Sequence, residues 1–395
     1  MKKIYAAIYI AAAFARLALP ASTPGFATIY TLSGATPLGL SYSGGLLYGA
    51  AYAAMNSDEC GFAFELQPPS APGGNWAETV LYAFGPFPDA CTPVGAPVAA
   101  ANGALYGVTF GGGTYNFGTA YELQPPAVPG GSWSETVLYS FTDTIGPGDG
   151  PPTSLILGPA GQIYVTTSYS VIELQPPASP GGDWTPALLY SFSGGASGSV
   201  PTSLTAGPKG RFYGATKYGG GGSVHDNGAG TIFELFPPAT QGGAWSHKVL
   251  LSFDGKNGAV PNAVTRASDG SLYGSTKLGK VYQLTPPSSP GQAWTQTILA
   301  DFGFGYHCGG DSPVIVRQGN VYGSTCLYPG GGVVFELQPP SAPGGPWTNT
   351  PLYTFTNGQV PTGSMVLTED GTLYGVTNNP SGGTPGGTIY QITTQ

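Results

Sequence analysis

Side chains able to move a proton, stack on a sugar or close a disulfide are gathered into a few Gly-rich segments of this 395-residue chain. His225 adjoins Asp226, and His307 precedes Asp311 by four residues. A histidine beside a carboxylate suits general acid–base catalysis near neutral pH, so these four are the candidate catalytic residues. Two carboxylates within reach of one bond can also hydrolyse or eliminate a glycoside. The same segments carry Tyr115, Tyr218, Tyr306 and Tyr328 with Asp89 and Asp149. Aromatic faces beside carboxylates suit sugar rings, whose C–H faces stack while their hydroxyls hydrogen-bond, and these six are the candidate ligand-binding residues. Each has a plainer reading too. Asp149-Gly150 and Asp254-Gly255 are turn-forming pairs, and a histidine in a polar loop is commonly just solvated.

Motifs do not decide the chemistry. No nucleophile elbow, dinucleotide fingerprint, phosphate loop, zinc helix or EF-hand loop occurs. No segment carries the dense oxygen set that calcium needs, so neither a metal nor a cofactor is expected. Lys2 and Lys3 precede a short apolar stretch, 4–14, followed by small residues, which reads as a signal peptide over 1–21 and an extracytoplasmic destination. No second apolar span follows, so no membrane span is expected in the mature chain. Removing Lys2, Lys3 and Arg16 takes the formal net charge from −8 to −11. Residues 22–208 contain no Lys or Arg, and the remaining cations all lie between Lys209 and Arg317. A duplex nucleic acid is excluded as partner, because phosphate binding needs a basic stripe.

These side chains must be held by a repeat. Trp76, Trp133, Trp184, Trp245, Trp294 and Trp347 are the six tryptophans, at a period of about 54 residues. Each follows a Pro-Pro pair and precedes an apolar run such as VLYSF (137–141). Units of this length stack because none can bury its faces alone. In 153–192 the unit reads as four strands, A to D: TSLIL, QIYVTT, VIELQPP and WTPALLYSF, bounded by Gly and Pro turns. Strand B carries a tyrosine in seven copies: Tyr48, Tyr106, Tyr164, Tyr213, Tyr273, Tyr322 and Tyr374. Glycine follows it in all but one, where Val165 stands, and marks close approach within a strand. The five glutamates of strand C (Glu65, Glu122, Glu173, Glu234 and Glu336) recur too regularly to form one site and read as structural.

The seventh unit lacks a strand D, while ATIYTLSG (27–34) matches that strand in pattern. The expected fold is therefore all-β: a seven-bladed β-propeller, four antiparallel strands per blade, with the N-terminal strand closing the last. Residues 22–395 form one domain. The YG-x-T strand, the Gly-rich loop and the W-x-x-x-x-LYSF run resemble the GloVer-type tandem repeat of secreted bacterial proteins, over essentially the whole mature chain. The resemblance implies export and a propeller-like fold. Members often carry a C-terminal sorting tail, and none is expected after Gln395.

Alternating strand directions put the A–B and C–D connections on one face and the B–C and D–A connections on the other. The first face repeats one phrase; the second varies and carries the candidate residues, so binding is expected there. Four cysteines allow three pairings. Cys60 and Cys91 fall on the variable face at consecutive connections, as do Cys308 and Cys326, so Cys60–Cys91 and Cys308–Cys326 are expected in an oxidising compartment. The functional expectation is a non-catalytic exported binder of a glycan or partner protein. Its alternatives are a carbohydrate-active lyase or hydrolase on the same face, and a purely structural scaffold.

Overall fold

The computed structural model describes residues 25–53, 60–86, 88–128, 130–142, 150–179, 181–221, 228–240, 242–289, 291–303, 313–326, 331–342, 344–356, 358–378 and 386–394. The expected signal peptide, 1–21, lies outside them. Among the described residues the chain is all-β, with only two single-turn 3₁₀ segments, Gly195–Ser197 and Pro208–Gly210. No helix among them is long and apolar enough to cross a membrane.

Each repeat folds as an antiparallel meander in the order A-B-C-D. Unit three is the simplest, with strands Pro152–Leu157, Ile163–Thr167, Ser170–Gln175 and Thr185–Ser191 forming one sheet. Units four, five and six repeat that arrangement. In unit two, strand A is split into Ala90–Pro93 and Val98–Ala99. Pro93 and Pro97 have no N–H to donate, and Thr92 sits at φ 64°, so the ladder breaks between them.

The two chain ends meet. The N-terminal strand Gly25–Ser33 runs antiparallel to the last strand, Gly386–Thr393, with Thr28 opposite Tyr390 and Leu32 opposite Gly387. One departure from the expected separate four-stranded units occurs here. Units seven and one join into an eight-stranded sheet through a single parallel pair, Gly39 with Ser364. The approach depends on the glycines at 39 and 363. A Cβ on Gly363 would stand 2.1 Å from the Leu38 carbonyl oxygen, and one on Gly39 2.5 Å from Ser364 Oγ.

The core lies between units rather than inside them. Tyr48, Leu81 and Phe84 of unit one close on Leu105, Tyr121 and Leu123 of unit two. Across the chain ends, Leu32, Val376 and Ile389 close on Leu40, Leu47, Phe64 and Leu66 of unit one. Strand D is covered less fully: Leu81, Leu189 and Leu299 are buried, whereas their neighbours Val80, Leu188 and Ile298 are 50%, 42% and 39% exposed, so the apolar runs of this outer strand are buried on one parity only. Each tryptophan is half-buried against the core shared with the preceding unit: Trp294 meets Tyr213 edge-on at 6.0 Å, and Trp76 meets Tyr374 at 5.7 Å.

Candidate functional site

Strands B and C supply the frame on which the loops sit. In every unit the strand-B tyrosine stands directly opposite the strand-C glutamate, or glutamine in units five and seven. Tyr106 Oη donates to Glu122 Oε1 at 2.6 Å and Tyr322 Oη to Glu336 Oε1 at 2.8 Å. In unit five Gln283 Nε2 donates to Tyr273 Oη at 2.9 Å. Burial first, then the facing carboxylate, pushes the Tyr164 hydroxyl up to about 12. These acids are held by scaffold contacts, in keeping with a structural role.

The glycine after the tyrosine has a specific neighbour. A Cβ on Gly107 would lie 2.3 Å from Tyr121 Oη, and the same ring-over-glycine contact recurs from Gly49 (Phe64) to Gly375 (Tyr390). The close approach is that of a strand-C aromatic ring, joined at Gly214 and Gly274 by a strand-A carbonyl oxygen. Such cross-strand cover compensates a strand glycine for its missing side chain. Unit three confirms the rule by exception: Val165 stands opposite Ile172, which has no ring to accommodate.

At the B–C and D–A connections, Cys60 and Cys91 form a disulfide that ties the B–C segment of unit one to strand A of unit two. Thr92 N donates to Cys60 O beside it at 2.9 Å. Of the second expected pair, Cys308 lies outside the described residues and Cys326 is described only by its backbone in strand Asn320–Cys326.

The candidate ligand residues separate. Tyr115 is 57% exposed in the B–C connection of unit two. Tyr218 ends strand B of unit four, with Lys217 Nζ 5.3 Å from its ring centre. Asp89 is occupied: one carboxylate oxygen accepts from Tyr82 Oη at 3.1 Å and Gly85 N at 2.8 Å, and the other from Ala90 N at 2.8 Å. It braces its own loop, and Asp254 does the same by accepting from Lys256 N and Asn257 N. Tyr306, Tyr328, Asp149, His225, Asp226, His307 and Asp311 lie outside the described residues.

Tyr42, 46% exposed, was missed at the A–B end of unit one, and so were two exposed aromatics near the far end of strand B: Phe110, 56% exposed, and Tyr52, 38% exposed. These two look like strand residues in sequence, because only the position at which pairing ends turns them outward. With Tyr115 and Tyr169, 42% exposed, they give units one to three four exposed rings on one face. Phe117, by contrast, packs into the core between units two and three.

Two half-buried ionisable groups have shifted titrations. His247 stacks on Tyr190 at 4.5 Å and meets Phe192 and Phe233, and burial drives it down to about 4. Glu135 is pushed up to about 7, by burial and then by Asp89, and its Oε1 is buried without a partner.

A model of the Gloeobacter/Verrucomicrobia repeat matches residues 35–282. The chain belongs to this repeat family. Curated proteins give no match. Among solved structures, YCF48 from Cyanidioschyzon merolae is 11% identical over 93% of this chain and 98% of its own, with a TM-score of 0.54. An ancestral GH74 enzyme is 12% identical over 91% of this chain and 48% of its own, at 0.54. An ulvan lyase of family PL25 is 11% identical over 92% of this chain and 96% of its own, at 0.52. At such identities the likeness shows the fold alone, an all-β propeller-like arrangement. The repeat family and the Cys60–Cys91 disulfide fit an oxidising, extracytoplasmic setting.

Proposed function

We propose that this member of the repeat family is an exported binding protein. Residues 1–21 are its signal peptide. Residues 22–395 are one domain, a closed ring of seven four-stranded blades whose last blade is completed by the N-terminal strand. Closure is supported by contacts that pass from the last unit to the first in the same form as between neighbours. Pro37 lies against Gly387 as Pro261 lies against Gly230, and Ser364 Oγ donates to Leu40 O at 3.0 Å as Thr153 Oγ1 donates to Pro201 O at 2.8 Å.

The B–C/D–A face binds a glycan or a partner protein without catalysis. The observation that carries this reading is the set of four exposed rings, Tyr52, Phe110, Tyr115 and Tyr169, on the B–C side of units one to three. Exposed aromatics are costly in water and are the groups on which sugar rings and side chains stack. The disulfide holds one of the segments between them.

The test is a glycan array and partner capture with the parent, with Phe110→Ala, Tyr115→Ala and Tyr169→Ala, and with Pro72→Ala in a C–D loop as control. Losses confined to the aromatic variants support the reading. Loss only in the control places the site on the opposite face. Turnover of a polysaccharide, abolished by loop acid or histidine substitutions, would make the protein a lyase or hydrolase instead. No ligand with any variant leaves the scaffold.

A further inference from the structure

Unit five departs from other units just after the first proline of strand A. Three of them carry threonine there, as Thr153, Thr202 and Thr362. Thr153 and Thr202 give their hydroxyls to strand A of the next unit. Unit five carries Asn262 instead, only 7% exposed. Its Nδ2 donates to Ser275 Oγ at 3.0 Å, while its Oδ1 is buried with no partner among the described residues. A buried carbonyl oxygen in that state calls for a donor from outside the chain.

Asn262 lines a cleft of about 30 Å³ where unit five faces unit six, and Ser275, Lys280, Phe302 and Phe335 share its wall. About two waters would fill that volume, which is also the bulk of one hydroxymethyl group. Neither lysine of the cleft is free. Lys280 Nζ lies 2.5 Å from Asp301, and Lys277, which also lines the cleft, is engaged as well. Phe302 is half-buried and packs on Phe335 with ring centres 4.9 Å apart, so its ring is held in place. The cleft thus offers one buried acceptor and one aromatic wall, with no ammonium left over to call for an anion.

We infer that this cleft receives the hydroxymethyl group of a neutral hexose, one residue of a glycan lying across the loop face. The inference rests on the binding reading above and specifies its ligand. The hydroxyl donates to Asn262 Oδ1, and so keeps the bond that solvent water can give that atom in the free protein. The C–H face of the same sugar lies on the accessible part of the Phe302 ring. A carboxylate in place of the hydroxymethyl group brings acceptors only and leaves Oδ1 unpaired, which is the argument against a sugar acid. A serine side chain brings the same hydroxymethyl group but no ring to lay on Phe302, which favours a sugar over a peptide.

The test is titration calorimetry of the full exported chain with β-linked tetrasaccharides of glucose, mannose and galactose, each also in its 6-deoxy and uronate forms, and with a tetraserine peptide. The best-bound hexose should bind roughly tenfold more tightly than its 6-deoxy form, and the uronate form should not recover the loss. Asn262→Thr restores the residue of units three, four and seven, and its melting is compared with the parent's. It should lower hexose binding to the 6-deoxy level and leave the 6-deoxy form unchanged. Phe302→Leu should weaken both forms alike, and Pro72→Ala neither. Equal binding of a hexose and its 6-deoxy form overturns the inference and leaves only a water on Asn262. An Asn262→Thr loss equal for both forms overturns it too, because a purely structural role predicts that. So does a uronate bound more tightly than its hexose, or a glycan bound with no hexose bound. Indifference to Asn262→Thr while Tyr115→Ala abolishes binding overturns it and leaves the aromatic-face reading standing. Tetraserine bound as tightly, with the same Asn262→Thr sensitivity, makes the ligand a peptide and overturns the sugar assignment. Absence of any glycan or protein ligand overturns the binding reading itself.

Discussion

Tyr30 donates its hydroxyl to Glu78 across 2.8 Å, joining the N-terminal strand to strand D of unit one. Four residues earlier, Phe26 lies flat on Tyr353 of unit six at 3.5 Å. The same offset links Tyr190 of unit three to His247 of unit four, whose rings stack at 4.5 Å. The N-terminal strand thus makes strand-D contacts to both sides. Phe26→Ala should lower stability by about 2–3 kcal/mol in chemical denaturation. Tyr30→Phe, at a more exposed bond, should cost less than about 1 kcal/mol. Deleting residues 22–34 should cause aggregation by baring an apolar edge, and a truncated chain that melts like the parent would refute the role given to this strand.

Gly107 and Tyr121 form a pair that can be rewritten. Gly107→Ala places a methyl where Tyr121 Oη stands and should destabilise by about 1–3 kcal/mol. Gly107→Val with Tyr121→Ile copies the Val165–Ile172 pair of unit three and should recover much of the loss of Gly107→Val alone. A double-mutant cycle measures the coupling. Simple additivity would sink the explanation.

Glu135 and His247 should tilt stability in opposite directions with pH. Glu135 has a raised folded-state value of about 7 against an ordinary 4.5. Its folded state keeps a proton that the unfolded chain releases, so its contribution is full below about pH 4.5 and is lost as pH rises towards 7. His247 is lowered to about 4 from 6.5. Its contribution is full above about pH 6.5 and is lost as pH falls towards 4. Glu135→Gln should flatten the alkaline side of the profile and His247→Phe the acid side, read from denaturation midpoints between pH 4 and 8. Unchanged profiles in both variants would contradict the burial assigned to these groups.

Cys60 and Cys91 close a loop with a sequence separation of 31. Replacing both by serine should cost about 3 kcal/mol by freeing the unfolded chain. Thiol titration of unreduced exported protein should find no free cysteine, because Cys308–Cys326 is proposed as the second bridge. Two reactive thiols would leave Cys60–Cys91 intact and remove that proposal.

The period of the tryptophans, the B–C strand pattern and the orphan strand at 27–34 were legible in the sequence, because repetition and alternation are local properties that each unit states again. The pairing of Cys60 with Cys91 followed from the same arithmetic. Tertiary structure alone decided where individual loop side chains point. Asp89 reads as a ligand group until the turn of its own loop surrounds it with Tyr82, Gly85 and Ala90. Phe110 reads as an ordinary strand residue until the end of pairing turns it out. The merging of units seven and one at Gly39 and Ser364, and the unpaired Oδ1 of Asn262, arise between segments far apart in the chain or folded from separate strands. Residue type and period determine which faces must be buried; contact between units determines which polar groups remain unpaired, and spacing along the chain carries no record of that distance.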